Sequence, residues 1–229
     1  MKKSIALDGP AGVGKSTIAK MLAERLSYVY VDTGALYRAL AVYFIDNGLT
    51  AENITENTEK VSELLEKTDV EIGYENGFQH VYTGKCDVTA RLRTEEVSKM
   101  ASVSSALPAV RAKLLDLQRG MAEKYDVIMD GRDIGTVVLP EATLKVFLTG
   151  RPEVRALRRY RQLSESGKLG THTLESLTKE IEERDYRDSH RKIAPLKPSA
   201  DSVTIDTSDI TIEEEMDLVI KELEKKIGS

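Results

Sequence analysis

One segment near the start of the chain has the residue types and spacing needed to hold a chain of phosphates. Residues 9–16, GPAGVGKS, match the pattern GxxxxGK[ST]. Glycines let the backbone curl so that successive N–H groups point at phosphate oxygens, and the following helix presents its positive end to the same anion. Lys15 can then reach the β- and γ-phosphates, and the Ser16 hydroxyl can ligand Mg²⁺. Because an apolar strand directly precedes the segment and an amphipathic helix follows it, we predict a nucleoside triphosphate site rather than a glycine-rich turn.

Arginines are concentrated in a later segment, 151–161, which contains a single glutamate. The planar guanidinium binds phosphate bidentately and stays charged, so it can stabilise charge spread over a transferring phosphoryl group. By helical spacing, Arg151 and Arg155 share a face with either Arg158 or Arg159. Salt bridging on the helix surface is the alternative, but the scarcity of acids within the segment favours phosphate binding.

A second charged set, Arg184, Asp188 and Arg191, has i, i+4, i+7 spacing and so also shares one helix face. Such a face could bind an anionic acceptor. Asp188, flanked by arginines, could equally be a salt-bridge partner with no ligand role.

The phosphate loop serves GTPases, motors, transporter ATPases and small-molecule kinases alike, so other features must separate these classes. No glycine has an aspartate three positions before it, and neither Asn-Lys-x-Asp nor an LSGGQ-like signature occurs, which speaks against GTPases and transporters. One acidic domain of this size is a poor nucleic-acid motor. The three histidines are scattered and form no Ser-His-Asp or metal-ligand pattern. A kinase for a small anionic acceptor remains, because an acceptor phosphate is already nucleophilic and needs positioning rather than a general base.

Length, net charge and cysteine content limit the number of domains, the partners and the compartment that we expect. The 229 residues fit one domain with an insertion, and the net charge of −5 does not favour nucleic acid as a partner. No run approaches the roughly 20 apolar residues of a membrane span, and Asp8 ends the first apolar run too early for a secretory leader. Cys86 is the only cysteine, so we expect a partly buried thiol without a role, in a reducing compartment. We therefore expect a cytoplasmic monomer that binds neither nucleic acid nor a membrane.

Strands alternating with helices predict an α/β fold with a five-stranded parallel sheet flanked by helices. Thr211 and Glu214 have the spacing of a capping box, so the last helix is expected to begin there. Buried strands are predicted at 4–7, 28–31, 127–129, 144–148 and 202–205, and helices near 108–124, 152–164 and 173–190.

One region departs from this alternation. Residues 69–88 alternate roughly every second residue, with Glu75-Asn76-Gly77 as a hairpin turn signal. An antiparallel piece inserted into a parallel fold predicts a small subdomain at about 63–102. The remaining residues, 1–62 and 103–229, would form the core.

Within the core we predict a short helical lid at about 151–171. The segment is basic, ends in glycines at Gly167 and Gly170, and follows the predicted 144–148 strand. Closing such a lid would place arginines on the phosphates and exclude water that would otherwise hydrolyse the donor.

Several motifs, in order along nearly the whole chain, resemble those of the bacterial-type cytidylate kinases, a family of phosphate-loop nucleoside monophosphate kinases. They are DGPAGVGK at 8–15, DTGALYR at 32–38, DGRDIGT at 130–136, ERDYRD at 183–188 and APL at 194–196. The pair DTGALYR and DGRDIGT is far more specific than the phosphate loop alone. The insert near 63–102 resembles that family's extended monophosphate-binding region. The resemblance implies transfer of a phosphoryl group from ATP, with Mg²⁺, to CMP or dCMP.

The resemblance also implies roles for individual residues. ATP would be bound by Gly9, Pro10, Ala11, Gly12, Val13, Gly14, Lys15, Ser16, Thr17 and Arg158, and transfer would be assisted by Lys15, Arg132, Arg155 and Arg159. The acceptor phosphate would be held by Thr33, Arg38 and Arg132 with Arg191 nearby, cytosine by Ser102, Arg111 and Asp133, and the sugar by Arg184 and Asp188. Thr33 replaces a serine common in the family and keeps the hydroxyl, whereas Ser104 and Ser105 are alternatives to Ser102. Asp130 would assist Ser16 in holding Mg²⁺ through water, or it could form a structural turn.

Two other interpretations stay open on the residues alone. One is a kinase for another nucleotide, such as UMP or AMP, or for a small metabolite. The other is a nucleotide-binding switch whose insert 63–102 docks a protein partner. Asp133 favours CMP over UMP as the acceptor, because a carboxylate can accept a hydrogen bond from the amino group of cytosine but would repel the oxygen of uracil.

Overall fold

The computed structural model describes residues 2–75 and 78–228, with the backbone alone at residue 78. It divides into two compact units, which we call the first unit (Met1–Tyr30 with Tyr125–Ser229) and the second unit (Val31–Lys124). The predicted insert, 63–102, lies within the second unit. None of the described helices is long and apolar enough to cross a bilayer.

Eight strands and eight helices are assigned among the described residues. The strands are β1 Ser4–Asp8, β2 Val29–Asp32, β3 Val70–Glu75, β4 Phe78–Thr83, β5 Cys86–Asp87, β6 Val127–Gly131, β7 Leu144–Thr149 and β8 Val203–Asp206. The helices are α1 Lys15–Leu26, α2 Thr33–Asp46, α3 Thr58–Lys67, α4 Glu95–Ser104, α5 Pro108–Lys124, α6 Pro152–Glu165, α7 Leu174–His190 and α8 Ile212–Ile227. A π-helical turn covers Ile134–Val138.

The five-stranded sheet has the order β2-β6-β1-β7-β8, and β1 pairs in parallel with both β6 and β7. This confirms the predicted α/β fold and its five parallel strands. β1 is apolar because it lies at the centre of the sheet, with Ile5 and Leu7 fully buried. The carboxyl ends of β1 and β6 lie at the same edge, so Asp8 is in register with Gly131.

Two helices of the first unit complete this core. Ile18 and Leu22 of α1 join Val219 and Leu223 of α8 in one buried cluster with the strands. The predicted start of the last helix is confirmed: Thr211 caps α8, and a reciprocal capping box joins it to Glu214.

The predicted lid segment forms α6 and the connection to α7. Ala156 and Leu163 of α6 pack against Leu177 and Ile181 of α7, so the two helices form a hairpin with a small core of its own. Gly167 and Gly170 have φ of 66° and 54°, a left-handed conformation that favours glycine. The movement of this segment stays a prediction.

The second unit packs α2–α5 around a separate core that includes Leu36, Leu40 and Phe44 of α2. Its small sheet, β3-β4-β5, is antiparallel, as the alternation of residues 69–88 predicted. The turn residues Asn76 and Gly77 lie outside the described residues. Cys86 is exposed rather than partly buried, so that prediction was wrong; β5 is a two-residue strand at the edge of its sheet.

Candidate active site

The phosphate loop follows β1, and its glycines are required by the backbone. Gly9 has φ of 151°, and a Cβ atom there would lie 2.3 Å from the carbonyl oxygen of Leu148. Gly12 and Gly14 have φ of 75° and 106°, where side chains are strained. Gly14 also caps α1, so the free N–H groups of that helix begin within the loop.

Lys15 is buried and lies across the loop. Its Nζ donates hydrogen bonds to the carbonyl oxygens of Gly9 at 2.8 Å and Pro10 at 2.7 Å. Burial lowers the pKa of Lys15, and the nearby positive charges of Arg132 and Arg184 lower it further, against the opposing effect of Asp130 and Asp8. Arg132 and Arg184, both predicted acceptor residues, therefore act electrostatically on Lys15.

A hydroxyl and a carboxylate meet beside the loop. Ser16 Oγ donates to Asp130 Oδ2 at 3.0 Å, and Tyr30 Oη donates to Asp130 Oδ1 at 2.9 Å. Within residues 2–75 and 78–228 no group of three or more His, Cys, Asp or Glu side chains is arranged to hold a metal by itself. Two adjacent oxygen donors suit Mg²⁺ nevertheless, since this ion keeps several waters and takes phosphate oxygens as further ligands. Ser16 and Asp130 thus fit the predicted ion.

Asp8 joins the end of β1 to the turn that follows β6. Its carboxylate accepts hydrogen bonds from the backbone N–H groups of Ile134 at 2.8 Å and Gly135 at 2.7 Å. Burial raises the pKa of Asp8 to about 6, although the two backbone hydrogen bonds oppose the rise. Sequence reasoning quoted Asp8 in a motif but gave it no role.

Two ion pairs lie next to this turn. Arg132 Nε donates to Asp188 Oδ2 at 2.9 Å, and Arg191 lies 3.4 Å from Asp133 Oδ1. Burial alone would raise the pKa of Asp188, but Arg132, Arg184 and Arg191 outweigh it and hold that pKa below its usual value. The first unit therefore brings five predicted acceptor residues together: Arg132, Asp133, Arg184, Asp188 and Arg191. Asp188 does have the ion-pair partner that the alternative interpretation required.

The arginines of α6 do not share one role. Arg151 is exposed and pairs with Asp209. Arg155 is buried, and its guanidinium donates to Gly150 O at 2.8 Å, Ala11 O at 3.0 Å and Asp185 Oδ2 at 2.6 Å. Arg151 and Arg155 therefore have the ion-pair partners that the salt-bridging alternative requires, and phosphate binding by this segment stays a prediction. Their acids come from distant positions that the local sequence does not reveal.

Two further lid arginines, Arg158 and Arg159, differ in exposure. Arg158 donates to the carbonyl and hydroxyl oxygens of Thr207, and the Thr207 hydroxyl donates to Val13 O at 3.3 Å. This links Arg158 to the phosphate loop. Arg159 is exposed, with a hydrogen bond of 2.8 Å to Gln162 Oε1, so its charge remains accessible to a ligand.

A buried acid that sequence reasoning missed lies behind the loop. Glu215 of α8 is 3% exposed, and its Oε1 has no hydrogen-bond partner among the described residues. Burial raises its pKa to about 7, although Arg158 and Lys15 lower it. Nothing in the sequence marks this glutamate, because α8 also carries exposed glutamates at neighbouring positions.

The second unit holds the remaining predicted acceptor residues. Thr33 is the first residue of α2 and is buried. Asp32 caps this helix by accepting from Ala35 N, and its second oxygen accepts from Arg38 at 2.9 Å. The Asp32 carboxylate thus both caps the helix that begins at Thr33 and holds the Arg38 guanidinium.

The predicted cytosine-facing pair of this unit lies at the junction of α4 and α5. Arg111 lies 3.4 Å from Ser105 O, and Ser105 Oγ donates to Ser102 O. The Ser104 hydroxyl is buried and donates to Ala101 O. Ser102, which is partly exposed, therefore remains the serine of this group best able to reach a ligand, and Ser104 is the least able.

A phosphate loop at the carboxyl end of a central parallel strand, with a basic helical hairpin, defines a phosphate-loop kinase. Comparison with known proteins narrows this class. The family model described as cytidylate kinase matches residues 5–225, and the chain therefore belongs to the cytidylate kinase family.

Individual relatives agree with this assignment. A cytidylate kinase of Lactobacillus gasseri is 44% identical over 224 residues, covering 97% of this chain and 94% of the relative. One of Streptococcus mutans serotype c is 49% identical over 212 residues, covering 91% and 90%. An uncharacterised protein of Eubacterium ventriosum has a similar fold, with a TM-score of 0.52, 13% identity and coverage of 98% and 99%.

Proposed function

We propose that this protein transfers the γ-phosphate of ATP to CMP or dCMP, giving ADP and CDP or dCDP. One observation carries the proposal: in a member of the cytidylate kinase family, the turn directly after Arg132 and Asp133 is hydrogen-bonded to Asp8, the residue directly before the phosphate loop. The donor loop and these two predicted acceptor residues are thus adjacent in the first unit.

Transfer in this site rests on charge and position. Lys15 would exchange the carbonyls of Gly9 and Pro10 for β- and γ-phosphate oxygens, while the N–H groups of the loop hold the phosphate chain. Arg132 would hold the acceptor phosphate in line with the γ-phosphate and, with Arg159, stabilise the charge that spreads in the transition state. The acceptor oxygen is already anionic, so no residue needs to act as a general base.

Mg²⁺ would be held by Ser16 and, through water, by Asp130, where it would neutralise charge on the β- and γ-phosphates. Asp133 would accept a hydrogen bond from the amino group of cytosine. Thr33 and Arg38 would contribute to the acceptor phosphate site from the second unit, Ser102 and Arg111 to the cytosine site, and Arg184 and Asp188 to the sugar site. We also propose that the loop, Thr17 and Arg158 bind ATP. We expect the protein to be a cytoplasmic monomer without a nucleic-acid partner.

An acceptor panel tests the proposal. Purified protein with ATP and Mg²⁺ is given CMP, dCMP, UMP, AMP or GMP in turn, and ADP release is measured. We expect release that depends on CMP or dCMP and is at least several-fold weaker with UMP. Release that ignores every acceptor would favour a nucleotide-binding switch, and a preference for UMP or AMP would favour another monophosphate kinase.

A further inference from the structure

Asp8 is a buried carboxylate to which neither the motifs nor the proposed mechanism assigns a role. It is 4% exposed, and both of its oxygens accept a backbone N–H, from Ile134 and Gly135. Most buried carboxylates pair with a basic side chain. Asp8 instead accepts hydrogen bonds from the backbone of the first two residues of the π-helical turn.

The position of these bonds along the chain is informative. Asp8 is the last residue of β1 and directly precedes Gly9, where the phosphate loop begins. Ile134 and Gly135 directly follow Arg132 and Asp133. One carboxylate therefore connects the start of the donor loop to the segment that carries two predicted acceptor residues.

Little space separates the turn from the carboxylate. A Cβ atom at Gly135 would already lie in van der Waals contact with Asp8 Oδ2, at 3.4 Å, and 3.3 Å from the Lys145 side chain, so a side chain larger than a methyl group would crowd the carboxylate. Lys15 lies near enough to Asp8 to lower its pKa. The carboxylate is thus held by the turn, and the charge of the loop lysine acts on it.

We propose that Asp8 is a positioning residue that sets Arg132 and Asp133 at the correct distance from the donor loop without touching either substrate. This inference rests on the proposed function. In-line transfer needs the reacting atoms aligned, and a misplacement of about 1 Å can cost about 100-fold in rate. A rigid two-bond clamp between the two halves of the site meets that need better than side-chain packing alone.

The substitution D8N tests this role, because asparagine keeps the size but presents one amide N–H₂ to a backbone N–H. One of the two hydrogen bonds is lost, and the turn is expected to rotate. We expect kcat to fall by about 100-fold. The Kd for ATP with Mg²⁺, measured alone by titration calorimetry, should change by less than about 3-fold, because the donor loop stays intact. The Kd for CMP should rise, because Arg132 and Asp133 move with the turn, so kcat is compared at saturating CMP.

D126N is the matched control. Asp126 also links the two strands through a carboxylate, accepting from Lys3 N at 2.7 Å, but at the opposite end of β1 and β6. We expect D126N to keep the kcat of the natural protein. G135V presses on the same contact from the other side, because valine adds two methyl groups to a Cβ atom that already touches Asp8 Oδ2. We expect kcat to fall in G135V too, and the double variant should be no slower than the slower single variant.

Amide hydrogen exchange of residues 131–138 gives a readout that needs no turnover. Exchange should be faster in D8N than in D126N whatever the acceptor is. A D8N protein with normal kcat per folded molecule, or one whose only defect is weaker ATP binding, would overturn the inference. If D8N does not fold, a folded G135V protein with normal kcat would overturn it equally. If the natural protein accepts neither CMP nor dCMP, the proposed function is wrong, whereas the exchange experiment still tests Asp8. Unchanged exchange of residues 131–138 in D8N would show that Asp8 does not hold the turn.

Discussion

Asp133 owes its orientation to the residues around it. It is 5% exposed, has Arg191 at 3.4 Å, and directly precedes the turn held by Asp8. A carboxylate fixed in this way can select a base by the donors and acceptors on its edge, because an unmatched group cannot turn away. The selectivity of the site should therefore depend on the chemical type of this side chain as well as on its position.

We predict that D133N relaxes the choice between cytosine and uracil. The asparagine amide can donate to the uracil oxygen as well as accept from the cytosine amino group, so repulsion of UMP disappears. The ratio of kcat/KM for CMP to that for UMP should fall by about 10-fold or more, as one base contact is worth about 1–3 kcal/mol. Steady-state kinetics with both acceptors measures this ratio.

D201N provides the comparison, since Asp201 pairs with Lys145 and has no predicted ligand role. Its CMP to UMP ratio should equal that of the natural protein. Retained discrimination in D133N would show that Asp133 does not select the base.

At the scale of a single element, α6 has two faces with different tasks. Its inward face carries Arg155, whose guanidinium joins Gly150, the phosphate loop at Ala11, and Asp185 on α7. Its outward face carries Arg159. The first arginine fixes the hairpin to the loop, whereas the second remains available to phosphates.

We predict that R155A and R159A differ in stability. R155A removes the donor to the Asp185 carboxylate and to the carbonyl oxygens of Gly150 and Ala11. The free energy of unfolding of R155A should therefore fall by about 3 kcal/mol. R159A removes only an exposed hydrogen bond and should change stability by less than about 0.5 kcal/mol. Urea unfolding of both variants measures the difference.

Turnover separates the two variants in a second way. R159A should lower kcat by about 100-fold, the size expected when one group that stabilises the transition state is removed. Normal turnover in R159A would contradict a phosphate contact by Arg159. Unchanged stability in R155A would mean that its three hydrogen bonds do not fasten the hairpin.

At the scale of the whole molecule, the buried acid Glu215 ties stability to pH. Burial raises its pKa from 4.5 to about 7, so the folded state binds a proton more tightly than the unfolded state does. The stability that this protonation contributes is fully present below pH of about 4.5 and is lost as pH rises through about 7.

We predict that E215Q removes this loss, because glutamine stays neutral. The free energy of unfolding of E215Q should exceed that of the natural protein by about 2 kcal/mol at pH 8, after allowance for solvent screening, and should match it near pH 4. Urea unfolding at several pH values gives the curve. E224Q, which changes an exposed residue of the same helix, should have the same free energy of unfolding as the natural protein at every pH. If all three proteins show the same dependence on pH, the ionisation of Glu215 does not destabilise the fold.

Local periodicity made much of the fold predictable. The five strands of the parallel sheet were placed within two residues of their ends, because each is a short apolar run, and Thr211 marked the start of α8 correctly. Helices α3 and α4 were not identified, since the alternating pattern of residues 69–88 dominated that region.

The candidate site was predictable only where its residues lie in contiguous motifs. The phosphate loop, Arg132 with Asp133, and the pair Arg184 and Asp188 follow from spacing. The predicted helix face was wrong for Arg191, because α7 ends at His190 and Arg191 follows it in extended backbone. The partners of the site residues do not follow from spacing: Asp185 and Asp209 reach the lid arginines from 30 and 58 residues away, and Glu215 reaches the loop from a helix near the end of the chain. Pairing across such separations is fixed by tertiary packing, which local patterns do not encode.

The exposed thiol on β5 has a practical consequence. Cys86 is the only cysteine, and the chain has no tryptophan. A maleimide dye would therefore attach to one known place on the second unit of the natural sequence. A single tryptophan introduced elsewhere would be the sole indole emitter and could serve as an energy-transfer donor to that dye. The protein thus needs only one substitution to become a two-colour reporter of how its units respond to CMP and ATP.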